Sequence, residues 1–305
     1  MNDKKKKRFG RGARLSSDRI VFNVIGYPMI AIFAVFCLLP FWLVVSGSFT
    51  SQQEIITYGY GLFPREPTLE SYAMSLKSPG AIIDAYLVNI FITVVGTVSS
   101  VFVCSMTGYV LTRKDFPWRF GFSLFFFFTT LFNGGLVPTY MLINTWLHLE
   151  DNLLALILPA IVSVWNILLC KGFMSSLPFS ITESAKIDGA GDFKIFVRLI
   201  LPISTPVIAT IGLFTALGFW NEWYRAMLYI RSPNLRPLQY FLQQLITTQQ
   251  AIRAMMQDSG EYVPSVPVES MRMSLTVIVT GPIILLYPFL QRFFIRGLTV
   301  GSVKG

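Results

Sequence analysis

The feature that most constrains this chain is a set of six long windows without a charged residue. They hold 34 positions between Arg19 and Glu54, 28 between Asp84 and Arg113, and 30 between Arg119 and Glu150. A further 19 lie between Asp151 and Lys171, 23 between Arg198 and Glu222, and 19 between Arg272 and Arg292. A helix needs roughly 20 mostly apolar residues to cross the hydrocarbon core of a bilayer. In that core every backbone amide must be paired within the chain, so such windows are expected to be helical. Spans are predicted at about 20–47, 85–112, 119–143, 152–171, 203–227 and 273–293. The expected fold class is an all-α membrane protein with six transmembrane helices. No window shows the alternation, over roughly ten residues, of a membrane barrel strand. A soluble core of six buried helices is disfavoured, because core helices seldom run this long without charge. Only 13% of the residues are charged, where a soluble domain carries about a quarter.

The basic residues give the orientation. With the N-terminus inside, the inner segments hold 18 of the 25 Lys and Arg, and the outer segments hold 7. Positive loops stay cytoplasmic because moving them across is unfavourable, so both termini are predicted to be cytoplasmic. Topology then accounts for the net charge of +9, and no nucleic-acid partner is required. The run KKKKRFGRGAR at 4–14 is expected to anchor the first span near anionic lipid rather than to bind a polyanion. The first apolar run is too long for a signal peptide and is taken as an uncleaved span. The predicted organisation is a basic tail at 1–19, a permease domain at 20–293 and a C-terminal tail at 294–305.

Cys37, Cys104 and Cys170 all fall within spans, where thiols behave as small apolar groups; their spacing fits neither a disulfide framework nor a metal site. His148, the one histidine, sits beside Glu150 and Asp151, where an interfacial, solvated position is expected. NGGLVP at 133–138 should break or bend the third span, either lining a cavity or marking a helix end. In the outer segment at 228–271, Leu238, Leu242, Leu245, Ile252 and Met256 share a helical stripe. That helix would lie on the membrane or a partner, or pack on its own protein.

Between the fourth and fifth spans lies a patterned, charged stretch, ESAKIDGAGDFKIFVRLILP at 183–202. Ser180 and Glu183 have capping-box spacing, which predicts a short helix from near Ile181. Asp188 and Gly189 should end it, Asp192 should cap a second helix, and Pro202 should kink the chain where the fifth span begins. GAG at 189–191 lacks the third glycine and the preceding strand of a dinucleotide fingerprint. The chain contains no phosphate-binding P-loop and no HExxH, CxxC or GxSxG motif. No catalytic or metal-ligating set is therefore predicted.

This stretch resembles the EAA loop of bacterial permeases driven by a separate ATPase. That pattern runs Glu-Ala-Ala, three residues, Gly, nine residues, then Ile-x-Leu-Pro; here Glu183, Ser184, Ala185, Gly189, Leu199, Leu201 and Pro202 stand at its positions. The departures are Ser184 for an alanine and Leu199 for the isoleucine. KIDGA, the ending GLTVGSVKG and FWNEWYRAMLYI at 219–230 resemble the carbohydrate-importing, maltose-type branch, and NGGLVPTY its oligosaccharide subgroup. The resemblance implies an ATP-binding-cassette importer permease of the bacterial cytoplasmic membrane. It implies that the loop at about 175–202 forms a coupling helix seated on the ATPase, with Glu183, Ser184, Ala185, Asp188, Gly189, Leu199 and Pro202 as coupling positions. The small Ala185 and Gly189 would permit close approach to that partner, and the tail at Lys304 and Gly305 would also touch it. ATP and Mg would be bound by the ATPase dimer, not by this chain. A second related permease and an extracellular binding protein complete the implied assembly.

Sugars are gripped by aromatic faces and by amide or carboxyl groups. Trp220, Asn221, Glu222 and Tyr224, with Asn133, are the substrate-path candidates. Trp223 and Tyr224 also suit interfacial anchoring, and Asn89 and Asn166 suit helix–helix hydrogen bonding. Two rival readings fit the pattern less well. An ion-coupled secondary transporter should carry carboxylates deep in its spans, and an intramembrane enzyme should carry a polar catalytic set; the windows offer neither.

Overall fold

The computed structural model describes residues 17–76, 79–259, 269–282 and 284. Among these the secondary structure is helical, apart from one antiparallel bridge between Thr50 and Pro67. The elements are α1 (Ser17–Ser48), α2 (Gln52–Tyr58), α3 (Glu70–Ser75) and α4 (Pro79–Thr112). Then follow α5 (Arg119–Leu131), α6 (Leu136–Met141, widening into a π-turn over Leu142–Trp146), α7 (Leu154–Ile161) and α8 (Val164–Met174). Next come α9 (Phe179–Ile187), α10 (Asp192–Ile195, followed by a π-turn over Phe196–Ile200), α11 (Leu201–Ile203) and α12 (Thr205–Trp220). After these come α13 (Tyr224–Tyr229), a 3-10 turn at Pro233–Leu235 and α14 (Leu238–Ser259). A last helical stretch occupies 269–282.

Among the described residues two unbroken helices, α1 and α4, are long and apolar enough to cross a membrane, and three bent pairs bring the candidates to five. The bends are 114° between α5 and α6, 41° between α7 and α8, and 84° between the α10–α11 run and α12. The sixth predicted span begins in the stretch at 269–282 and continues beyond the described residues, as do the basic tail and the C-terminal tail. The break at NGGLVP is present: Gly135 adopts φ +86, and its amide donates to the Asn133 carboxamide oxygen at 2.9 Å.

α4 is the centre of the molecule, with α8, α12, α7, α14 and α5 packed around it. It carries small buried residues four apart: Gly96, Ser100, Cys104 and Gly108. In lipid, helices gain little from hydrophobicity and associate through close packing, which small residues allow. A Cβ on Gly96 would lie 2.4 Å from the Phe219 ring of α12. One on Gly108 would lie 2.6 Å from Cys170 Cβ and 3.0 Å from the Lys171 backbone nitrogen of α8. Cys104 does more than fill space, because its thiol lies 3.4 Å from the Ile161 carbonyl, one of those freed where α7 gives way to α8. By contrast α1 keeps Phe22, Ile25, Phe33 and Phe36 exposed, the pattern of a helix that faces lipid.

Two expectations about polar groups hold. Asn89 Nδ2 donates to the Trp220 carbonyl at 3.4 Å, and Asn166 Nδ2 to Thr215 Oγ1 at 3.0 Å, both between helices. The fifth span is shorter than predicted, since α12 ends at Trp220 and α13 is a separate outer helix. α14 packs its first turns on its own protein: Leu238 is buried with Ala85, Trp220 and Val279, and Leu242 packs against them. The side chains of Ile252 and Met256 lie outside the described ones. The outer turn is fastened too, because Asp151 accepts the backbone amides of Arg231 and Ser232, each at 2.9 Å, and the exposed His148 sits beside it.

Gly108→Ala is expected to destabilise the chain more than Gly96→Ala. Gly108 faces backbone that cannot turn aside, whereas Phe219 can shift. Overpacking of this kind costs about 1–3 kcal/mol. Thermal melting in detergent checks this, and Phe219→Leu should restore most of the loss in Gly96→Ala but none of that in Gly108→Ala.

Candidate functional site: the inner helix α9 and its anchorage

α9 forms the short helix that the sequence predicts, but its ends are built differently. It begins at Phe179 with Pro178 as N-cap and no side-chain cap, so Ser180 lies inside the helix and the Ser180–Glu183 capping box does not form. A proline N-cap has no amide, so the glutamate half of such a box would have no donor to satisfy. The C-terminus is as expected. Gly189 has φ +76, its amide donates to the Lys186 carbonyl at 3.0 Å, and the Ala190 amide donates to the Ala185 carbonyl at 2.9 Å. This is a Schellman ending, which requires the left-handed conformation that glycine adopts without strain.

The second helix also departs from expectation. Its N-cap is Gly191, and Asp192 is its first helical residue. The Asp192 carboxylate forms an ion pair with Arg113, Oδ1 2.9 Å from Nη2, instead of capping. The predicted kink at Pro202 falls at Ser204, after α11. The π-turn over Phe196–Ile200 precedes Pro202, and a widened turn there accommodates a residue that has no amide to donate.

α9 is anchored on one face and bare on the other. Thr182 and Ala185 are buried, and Ala185 packs with Tyr109, Met174, Ile195 and Phe196. Its small size therefore serves packing within the chain, not an approach from outside. Tyr109 stacks on Phe196 with ring centroids 5.6 Å apart, tying α4 to the run that leads into α12. Leu199 is half-buried against the same cluster, whereas Pro202 is exposed. Glu183, Ser184, Ile187, Asp188 and Gly189 are exposed. Ile187 is 86% exposed at the tip of the bare face, between two acidic side chains.

A charged clamp that sequence reasoning missed holds α9 to the end of α4. Arg113, only 7% exposed, donates through Nε to Asp115 Oδ1 at 2.8 Å and through Nη1 to the Tyr109 hydroxyl at 2.8 Å. Lys186 Nζ of α9 reaches Asp115 Oδ2 at 2.7 Å, and Asp192 adds its contact to Arg113. Lys114 Nζ lies 4.9 Å from the centre of the Phe179 ring, over the start of α9. The RKD of the inner turn was legible as charge, but its partners stand some 70 residues away, a pairing visible only in the fold. The hydrogen bonds from Arg113 and then Lys186 hold the Asp115 carboxyl well below the usual carboxylate range.

The substrate-path candidates do not converge. Asn133 is exposed and taken up by the turn at Gly135. Trp220 is buried against Leu238 and Val279. Asn221 is exposed, and its side-chain amide donates to the Leu217 carbonyl at 2.9 Å. Glu222, 7% exposed, accepts the Arg225 backbone amide at 2.8 Å and pairs with the Arg225 guanidinium, so it starts α13 and is neutralised there. Tyr224 is partly exposed and meets Trp223 edge to face. No group of three or more metal-binding side chains occurs among the described residues.

The fold is a helical membrane body with broken spans and a short helix, α9, that is anchored on one face and bare on the other. The chain belongs to the family of binding-protein-dependent transport system inner membrane components, whose profile matches residues 71–300. It is 36% identical over 285 residues, 93% of this chain and 99% of the other, to the polygalacturonan/rhamnogalacturonan transport system permease protein YtcP of Bacillus subtilis. It is 29% identical to the arabinooligosaccharides transport system permease protein AraQ of Halalkalibacterium halodurans, over 92% of this chain and 95% of that one. A chain from a bacterial ABC transporter that imports the acidic polysaccharide alginate superposes with a TM-score of 0.79. It is 26% identical, and the match covers 92% of this chain and 98% of that one. The resemblance to carbohydrate-importing ABC permeases is thus supported by family, sequence relatives and fold.

Asp115→Asn should loosen α9 without unfolding the protein. Asp115 and Lys186 are half-exposed, the buried Arg113 keeps Asp192 and the Tyr109 hydroxyl, and exposed pairs contribute about 1 kcal/mol or less. Faster amide exchange across 179–190 at nearly unchanged melting temperature is the expected result. Because the Asp115 pKa is depressed, its contribution is complete above about pH 4 and is lost only as pH falls through the lowered value. Exchange in α9 should therefore be flat from pH 8 to pH 5, once corrected for intrinsic rates.

Proposed function

We propose that this chain is one of two related spanning subunits of an ATP-driven importer of a sugar or oligosaccharide in the bacterial cytoplasmic membrane. It has six spans and both termini inside. α9 is its coupling helix, within a loop at about 175–202. A separate ATPase dimer binds ATP and Mg, closes on ATP and moves α9, and an extracellular binding protein delivers cargo to the outer segment at 228–271. The chain itself makes and breaks no covalent bond. The single observation that carries this reading is the build of α9: one face locked to α4 and α10, the other presenting Ile187 with Glu183 and Asp188. An apolar side chain so exposed at the inner surface suits a groove on a soluble partner, and Glu183 can meet a basic residue there. Gly189 fixes the angle at which α9 is offered, while Leu199 and Pro202 belong to the support behind it. Cargo of saccharide type is supported by the relatives' names, which include polygalacturonan, rhamnogalacturonan and arabinooligosaccharides.

A cysteine replacing Ile187 should crosslink to the ATPase subunit in membranes, and one replacing Thr182 should not. Gly189→Val forces a side chain into the left-handed region at a cost of about 1–2 kcal/mol. It should abolish ATP-dependent uptake while leaving the chain in the membrane. Absence of any ATPase crosslink from the bare face would remove the coupling role.

A further inference from the structure

Between the last turns of α4 and the first turns of α5 runs a narrow groove of about 240 Å³. Met106, Val110 and Leu111 line it from α4, Phe122 and Phe126 from α5, and Phe116 from the turn that joins them. Apart from Thr107 its walls are apolar. Two cations stand beside it without a counter-charge. Lys171 of α8 lies at its level, since the Lys171 backbone nitrogen is 3.0 Å from where a Cβ on Gly108 would sit. Its ammonium donates to the Ser123 hydroxyl at 2.8 Å, and that hydroxyl donates in turn to the Arg119 carbonyl. Arg119 opens α5 on the same face as Phe122 and Phe126. Neither Arg119 nor Lys171 forms an ion pair among the described residues. We infer that the groove holds one acyl chain of an anionic phospholipid, whose phosphate is received by Arg119 and Lys171. Such a site goes beyond the transport reading and is independent of the cargo.

Charge and shape select this occupant. Lys171 is only partly exposed, and an ammonium at the end of a span with a single hydroxyl for partner calls for an anion. The nearby cations are engaged elsewhere: Arg113 belongs to the clamp, and Lys114 lies over the Phe179 ring. A phospholipid supplies an apolar chain at the level of Met106 and Phe126 and a negative phosphate at the turn. A helix of a second permease, about 10–12 Å across, is too wide for the groove, whereas a flexible chain is not. Trp118, 69% exposed beside Arg119, suits the membrane interface, where indole side chains collect. In the orientation proposed above this is the cytoplasmic leaflet, which carries the anionic lipids. The joining turn also carries Arg113 and Asp115, so a lipid held here braces the support of α9.

The test uses the full chain, with whatever subunits co-purify with it, in phosphatidylcholine vesicles. The probes are phosphatidylglycerol and phosphatidylcholine, each with a diazirine on one acyl chain. In the wild type, photolabelling of peptides that contain 106–111 or 122–126 should be several times heavier from phosphatidylglycerol. Arg119→Gln and Lys171→Gln should each lower that labelling about fivefold, the usual scale for one basic residue at an anionic surface, and leave labelling by phosphatidylcholine unchanged. Val110→Trp, which fills the groove, should lower labelling of these peptides by both lipids. Arg119 is exposed, so its variant carries the test if Lys171→Gln fails to assemble. Equal labelling by the two lipids in the wild type overturns the site, as does phosphatidylglycerol labelling that Arg119→Gln leaves unchanged. A disulfide crosslink from Val110→Cys to a co-purifying subunit overturns it too, because the groove is then covered by protein.

Discussion

The structure depends on how closely α8 and α12 can pack against α4. In lipid a helix has no hydrophobic reason to leave the acyl chains for another helix, so association rests on tight packing. The stripe of Gly96, Ser100, Cys104 and Gly108 supplies it: α12 closes over Gly96 and α8 over Gly108. Once both are seated, some polar groups of the spans find partners across the same seams. Asn89 reaches the end of α12, Asn166 reaches Thr215, and Cys104 serves a carbonyl that the α7–α8 break would otherwise leave bare. An unpaired carbonyl at that depth is costly, so the break and the thiol belong together.

The same helix connects the packed interior to α9. α4 ends at Thr112, and the next residue, Arg113, begins the clamp that holds α9. Below it Tyr109 stacks on Phe196, in the run that bends by 84° into α12. A displacement of α9 therefore reaches two helices at once, one through ion pairs and one through packed rings. Rigid attachment of this kind lets a short surface helix act on the spans, because packed interfaces shift between arrangements and do not yield gradually.

Several charges near the membrane are arranged by pairing. Glu222 is buried but neutralised by Arg225 and used to begin α13. Asp151 ties the outer turn to Arg231 and Ser232, and Glu150 pairs with Arg231. A sequence in which FWNEWYRAM groups aromatic, amide and acidic residues suggests a sugar site in those residues. In the fold Trp220 packs against Leu238 and Val279, Asn221 bonds back to Leu217 and Glu222 pairs with Arg225, so these residues are occupied with structure.

The sequence by itself determined that this is a helical membrane protein, because the lengths of its uncharged windows answer directly to bilayer thickness and to the need for internal amide pairing. It also determined α9 and its glycine ending, since spacing within one turn is a local property. Only the tertiary structure decided that Ala185 faces inward, that Asp192 forms an ion pair in place of a cap, and that the bend falls at Ser204. Each depends on which helix lies opposite. That neighbour is chosen by the small-residue stripe of α4 and by charges far apart along the chain, and local pattern carries no record of such contacts.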